Sequence, residues 1–111
     1  MWKSLGKVTI GAAGTPVQVT TTRYGCQTVF FQQVSTNTGK LWICDRADAV
    51  KATGVGILAV IPAPTLTAGV ATILPYCACT IPSAPGGLDA SQFWIDVDNG
   101  QESCQVSAIR A

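Results

Sequence analysis

The sequence predicts an all-β fold, a single antiparallel β-sandwich of jelly-roll type, on three observations. Thr, Val, Ile and aromatic residues recur in runs of strand length. Gly, Pro and Asn cut those runs at short intervals, which is the punctuation of turns and sheet corners. Helical period is not sustained anywhere; "DRADAVKA" (45–52), with room for one or two turns, is the best helix candidate. At 111 residues the chain makes one domain with one core, residues 1–111, in which 1–6 are set apart as an N-terminal arm.

The pattern reads as about eight strands joined by short turns. Residues 7–10 form a short first strand. In "TPVQVTT" (15–21), Val17, Val19 and Thr21 face one way and Gln18 and Thr20 the other. "CQTVFFQQV" (26–34) carries bulk on both sides and is expected as a central strand. "KLWICD" (40–45) returns across the turn "STNTG", where Asn37 and Gly39 tolerate the positive φ of a tight loop. "VGILAVI" (55–61) is a continuous apolar run, expected as a strand buried on both faces. Residues 69–74 and 76–81 are expected to pair around Pro75. "QFWIDV" (92–97) turns Phe93, Ile95 and Val97 inward and Gln92, Trp94 and Asp96 outward. "SCQVSAI" (103–109) alternates Cys104, Val106 and Ala108 with Gln105 and Ser107. The Pro-rich pieces "IPAPTLTAG" and "TIPSAPGGLDA" are connectors at sheet corners or edges, because Pro cannot donate to a central ladder.

Composition narrows the function. Charged residues are 12% of the chain and hydrophobic residues 48%, against a usual charged share of about 25%. Low charge does little to keep molecules apart, so much of the surface is expected to be covered by partners. Net charge is +1 without a Lys/Arg run, which leaves no electrostatic footprint for nucleic acid. No apolar run reaches the roughly 18 to 20 residues that span a bilayer, and the first residues lack a stretch of signal-peptide length. The five cysteines (Cys26, Cys44, Cys77, Cys79, Cys104) are odd in number and irregular in spacing. They are read as free buried thiols of a reducing compartment.

The acids concentrate in "IDVDNGQES" (95–103). Asp96, Asp98 and Glu102 offer the hard oxygens that calcium takes. An EF-hand counted from Asp96 needs an Asx at its fifth position and Gly at its sixth, and finds Gly100 and Gln101. The segment reads instead as a hairpin tip, with Asn99-Gly100 in a type I′ turn. The pair "CAC" (Cys77, Cys79) has no His partner and, on one face of a strand, suits a core better than zinc. No His supplies a general base, and "GVG" (54–56) lacks the Lys-Ser/Thr of a phosphate loop, so no enzyme and no cofactor are expected. Binding remains. Trp42 and Trp94 alternate against Ile43 and Ile95 and are expected on outer faces, where aromatic rings enrich interfaces. Trp2 and Leu5 make an apolar arm, expected to reach a neighbour in preference to its own domain. Arg46, between Asp45 and Asp48, reads as a contact patch or a solvated turn.

Three strings then resemble a known class: "TTRYGCQTVFFQQVSTNTGKLWICD", "ATGVGILAVIPAPT" and "FWIDVDNGQESCQVSAI". Their order is a Q-x-V strand, an N-T-G-K hairpin, a G-hydrophobic-L strand and a late hydrophobic-D-x-D-x-G hairpin. It is similar to that of small β-rich virion proteins of tailed phages. By size and composition the chain most resembles the decoration (cement or stapling) proteins that bind outside an HK97-fold capsid shell. The resemblance spans 17–109. It implies a sandwich or jelly roll acting as a dimer or trimer across capsomer boundaries, with the major capsid protein as partner. It also implies a place on the capsid exterior after assembly in the host cytoplasm, and no catalytic residues. A homodimer on a twofold axis is the default. Trp2, Leu5, Trp42, Arg46 and Trp94 are then the candidates for capsid or self contact. The alternatives are a carbohydrate-binding module, with Trp42, Trp94 and Tyr76 as a stacking platform, and a head–tail or tail-fibre adaptor. If the acids are a turn and not an ion site, excess chelator leaves the thermal unfolding midpoint unchanged; a fall of several degrees would restore the metal reading.

Overall fold

The computed structural model describes residues 2–67, 70–72, 78–82 and 87–110. Its strands are β1 (Trp2–Ile10), β2 (Val17–Gln18), β3 (Gly25–Gln33), β4 (Leu41–Cys44), β5 (Ile57–Ile61), β6 (Thr65–Thr67), β7 (Val70–Thr72), β8 (Ala78–Pro82), β9 (Leu88–Asp89), β10 (Trp94–Val97) and β11 (Glu102–Arg110). A 3-10 turn, Ala90–Gln92, leads from β9 to β10. Every ladder is antiparallel, and the all-β sandwich expected from the sequence is what forms. The first sheet runs β1-β11-β3-β8, with β9 also on β3; the second runs β2-β10-β4-β5, and β6 and β7 form a small separate pair. Leaving out β6, β7 and β9, early strands pair with late ones around the β4–β5 turnback: β1 with β11, β2 with β10, β3 with β8.

Period-2 alternation builds the core between the sheets. Across the second sheet, Val97 lies opposite Leu41 and Leu41 opposite Ile61, while Ile95 lies opposite Ile43 and Ile43 opposite Ala59. These meet Ile10, Val29, Phe31, Cys104, Val106 and Ala108 of the first sheet. Phe31 and Phe93 cross edge to face at 5.6 Å, a geometry that adds to area burial. Two bulges correct the alternation. One leaves Leu5 unpaired between Ser4 and Gly6, with Gly6 at φ +90, and lets Leu5 pack on the core. The other, at Gln27 in β3, brings both Cys26 and Val29 inward. The 3-10 turn is capped by Asp89, whose Oδ1 accepts from Ser91 Oγ (2.7 Å), Ser91 N and Tyr24 N. The Ser91 hydroxyl, followed by the Tyr24 and Ser91 amides, holds that carboxyl at about 2.

Several expectations are corrected. Residues 2–6 are no free arm but half of β1, paired with β11 from Trp2 opposite Ile109 onward. The strand expected over 15–21 is only Val17–Gln18, although Val19 N still donates to Phe93 O at 2.9 Å. The 45–52 segment is a series of turns, closed by the bridge between Val50 and Val55, and not a helix. β5 is an edge strand with Leu58 and Val60 exposed, not a strand buried on both faces. β7 pairs with β6, and β8 with β3, in place of the pairing around Pro75; residues 73–77, with Tyr76 and Cys77, lie outside the described residues.

The largest correction concerns 98–101. β10 and β11 do not form a hairpin: β10 belongs to the second sheet and β11 to the first, so the segment crosses between layers. In it the positive φ belongs to Gln101 (+69), not to Asn99 or Gly100. Gly100 serves close approach, because a Cβ there would sit 3.0 Å from Gly11 O and 3.6 Å from Ala12 Cα. Gly39 likewise lacks positive φ and faces Asn99 Nδ2 at 2.8 Å from its would-be Cβ. Gly100→Ala is therefore expected to cost about 1–3 kcal/mol in denaturant unfolding, as overpacking does, and more than Asn99→Ala. The reverse ranking would argue for a type I′ turn.

Candidate functional site

The three acids of the crossing segment each have fixed partners. Glu102 accepts from Thr38 N at 2.6 Å and Gly39 N at 3.0 Å, with Thr38 Oγ1 at 3.1 Å. Asp98 accepts from Trp42 Nε1 at 2.9 Å and Lys40 N at 3.3 Å. Asp96 is only 1% exposed, and its Oδ1 accepts from Gly14 N at 2.9 Å and Val97 N at 2.8 Å. Beside them, buried Asn37 exchanges bonds with the Ser103 backbone, and Gln33 donates to Gly39 O and Pro62 O. Charged acceptors on backbone N–H groups are strong, so these bonds fasten the 35–40 loop to the crossing.

Asp96 points to the outer face of the second sheet, as alternation predicts, yet it is buried because two loops fold over that face. Gly14 covers it from one side, and Lys51 from the 45–56 loop covers it from the other. Lys51 Nζ lies 2.6 Å from Val97 O, 3.8 Å from Asp96 and 3.7 Å from Asp98, and 5.9 Å from the Trp42 ring centroid. The cation these acids keep is thus a lysine of the same chain. Among the described residues no group of three metal-ligating side chains comes together. Cys44 is buried under the same cover, and burial followed by the Asp96 carboxylate pushes its thiol up to about 11. Burial pushes Cys104 to about 12. Cys26, Cys44, Cys79 and Cys104 are free thiols, and those two stay protonated and unreactive near neutral pH.

Open surface lies elsewhere. On the outer face of the first sheet, Trp2 is 50% exposed and meets Phe30 edge to face at 5.9 Å. With Ser107, which lies opposite both Phe30 and Ser4, these rings line an open depression of about 320 Å³. Gln105 Nε2 donates to Ser4 Oγ beside it at 3.0 Å. The second open surface is aliphatic: Val50 (44%), Val55 (50%), Leu58 (49%) and Val60 (42%) on the 45–56 loop and β5. Val60 lies opposite Trp42, so the strip continues the Trp42 side of the sheet.

The five residues singled out from the sequence do not converge. Trp42 and Trp94 lie on the outer face of the second sheet, but half-buried, with Trp42 held between Asp98 and Lys51. Trp2 is on the other sheet, and Leu5 packs on the core of its own domain. Arg46 pairs with its neighbour Asp45 at 2.7 Å and lies over Gly56, whose would-be Cβ is 3.0 Å from its Cγ and Cδ. Sequence reasoning missed Lys51, Phe30, Ser107 and the β5 strip. Phe30 was legible as the outward member of "VFF"; nothing in the sequence marked Lys51 as the partner of Asp96. No family model, curated protein or solved structure matches the chain. Lys51→Met strands a buried carboxylate and is expected to cost about 3 kcal/mol, with part restored by Asp96→Asn in the same background. Equal stability of Lys51→Met and the unaltered protein in urea would show the ion pair to be dispensable.

Proposed function

We propose that this chain is a non-enzymatic virion structural protein of a tailed phage. It decorates the outside of an HK97-fold capsid shell and staples adjoining major capsid protein subunits against internal DNA pressure. The observation that carries the reading is a low-charge molecule with two separate apolar surfaces, the Trp2–Phe30 depression on one sheet and the Val50–Val55–Leu58–Val60 strip on the other. A bridging protein needs more than one adhesive surface, and aromatic anchors in shallow pockets carry most of the energy of such contacts. The nesting of early with late strands around β4–β5 supports the jelly-roll reading, an architecture used by capsid and lectin domains alike. Fold does not choose between those uses; the order of the sequence strings, similar to that of phage decoration proteins, favours the first, although the N-T-G-K and D-x-D-x-G segments cross between the sheets and form no hairpin. Many weak copies on one shell then act multivalently.

One feature favours a carbohydrate-binding module as second reading. The Trp2 and Phe30 rings open beside the Ser107 and Ser4 hydroxyls and the Gln105 amide, and sugars need both stacking and hydrogen bonding. The platform expected from Trp42, Trp94 and Tyr76 is less apt, since the Trp42 indole is already bonded to Asp98 and Tyr76 lies outside the described residues.

Removing residues 1–5 would take half of β1, so a point variant is the better probe. The protein is expected to co-sediment with capsid shells in fixed stoichiometry, and Trp2→Ser to weaken that binding about tenfold, roughly 1.4 kcal/mol, at unchanged thermal midpoint. Absence of shell binding would overturn the decoration role. Retention on a polysaccharide column that Trp2→Ser abolishes would favour the second reading.

A further inference from the structure

Among the described residues, Lys51 is the one lysine in an ion pair, and one of its two carboxylates, Asp96, is only 1% exposed. Its Nζ donates to Val97 O at 2.6 Å and stands 3.8 Å from Asp96 Oδ2 and 3.7 Å from Asp98 Oδ1, so the amine lies between two carboxyl groups. The two oxygens of Asp96 are held differently. Oδ1 accepts from the Gly14 and Val97 amides at 2.9 and 2.8 Å, whereas Oδ2 faces the lysine. Two backbone N–H groups aimed at one carboxyl oxygen are what stabilises a tetrahedral oxyanion. The setting is also dry: burial, followed by the Asp96 carboxylate, raises the Cys44 thiol under the same cover.

We propose that Lys51 and Asp96 condense into an intramolecular isopeptide bond, with Asp98 as the proton carrier. Asp98 takes one proton from Nζ and delivers it to Asp96 Oδ2, which leaves an amine facing a carboxylic acid. Nζ attacks Asp96 Cγ, and the carbonyl electron pair moves onto Oδ1 beneath the Gly14 and Val97 amides. Asp98 then carries a second proton from nitrogen to Oδ2. The pair on Oδ1 re-forms the carbonyl, the Cγ–Oδ2 bond breaks, and Oδ2 leaves as water. The third proton stays on the amide nitrogen, and no other reactant is consumed. Groups held side by side in a fold react as if at concentrations far above any in solution. The product is favoured because two buried charges cost hydration that a neutral amide does not need. The bond ties the 45–56 loop, with Val50 and Val55, to β10, and a crosslink between distant residues stabilises by constraining the unfolded chain.

The inference goes beyond the decoration role and does not rest on it; no shell enters its test. The intact mass of the purified full chain is expected to lie one water below the sequence mass in most molecules. Trypsin acting on the denatured chain is expected to leave 47–110 in one piece, because a lysine bound in an amide is not cleaved. Lys51→Arg keeps the ion pair but has no amine to condense, so it is expected to restore the full mass and lower the thermal midpoint by several degrees. Asp98→Asn, followed by mass in freshly synthesised chain, is expected to slow the loss of water about a hundredfold, as removal of a positioned proton carrier does. Full mass in the unaltered protein would overturn the bond. So would a lost water with Lys51 still open to trypsin, the mark of a succinimide at an aspartate, or a loss that persists in Lys51→Arg. An unchanged rate in Asp98→Asn would overturn the carrier role.

Discussion

The chain leaves the second sheet at Val97 and enters the first at Glu102, and the sandwich depends on how that short crossing is held. A crossing between layers exposes backbone groups to a half-buried setting, where an unpaired donor costs as much as a lost hydrogen bond. Here the polar side chains of the crossing and of the 35–40 loop satisfy one another. Glu102 takes the Thr38 and Gly39 amides, Asp98 takes Lys40, and Asn37 pairs with the Ser103 backbone. Gly39 and Gly100 let the backbones come this close. Once the crossing is set, Val97 opposite Leu41 and Cys104 opposite Gln33 are in register, and the core residues of both sheets face each other.

The same economy explains the charge distribution. Charged residues are 12% of the chain, and among the described residues Asp96 is the one that is buried. Asp96, Asp98 and Lys51 form one local group with the Trp42 indole as a wall. Burying a carboxylate is tolerable only when hydrogen bonds and a counter-charge replace its water. Asp96 has two amides on one oxygen and the Lys51 ammonium near the other.

The surface left to solvent includes an aromatic depression on the first sheet and an aliphatic strip along β5, while charge is concentrated on loops and on the β1 edge. Such a surface gains free energy by being covered, through the same apolar burial that drives folding. Covering of such surfaces is what the proposed decoration role draws on.

The sequence by itself determined the class of the fold and most of its inner face. Period-2 alternation placed Val17, Ile43, Phe93, Ile95, Val97, Cys104, Val106 and Ala108 toward the core, and Trp42 and Trp94 away from it, because side-chain direction along a strand is a local property. It also excluded an EF-hand register in 95–103. Pairing is not local, and only the tertiary structure decided it. A turn that suits a hairpin also suits a crossing between sheets, and a run of apolar residues reads the same at an edge as at a centre. So the role of Gly100, the exposure of Leu58 and Val60, and the docking of Trp2 and Leu5 on their own sheet came from strand order. The burial of Asp96 came from Gly14 and Lys51, residues far from it in sequence. No pattern in a short window carries a contact of that range, because its energy exists only once both loops have closed over the sheet.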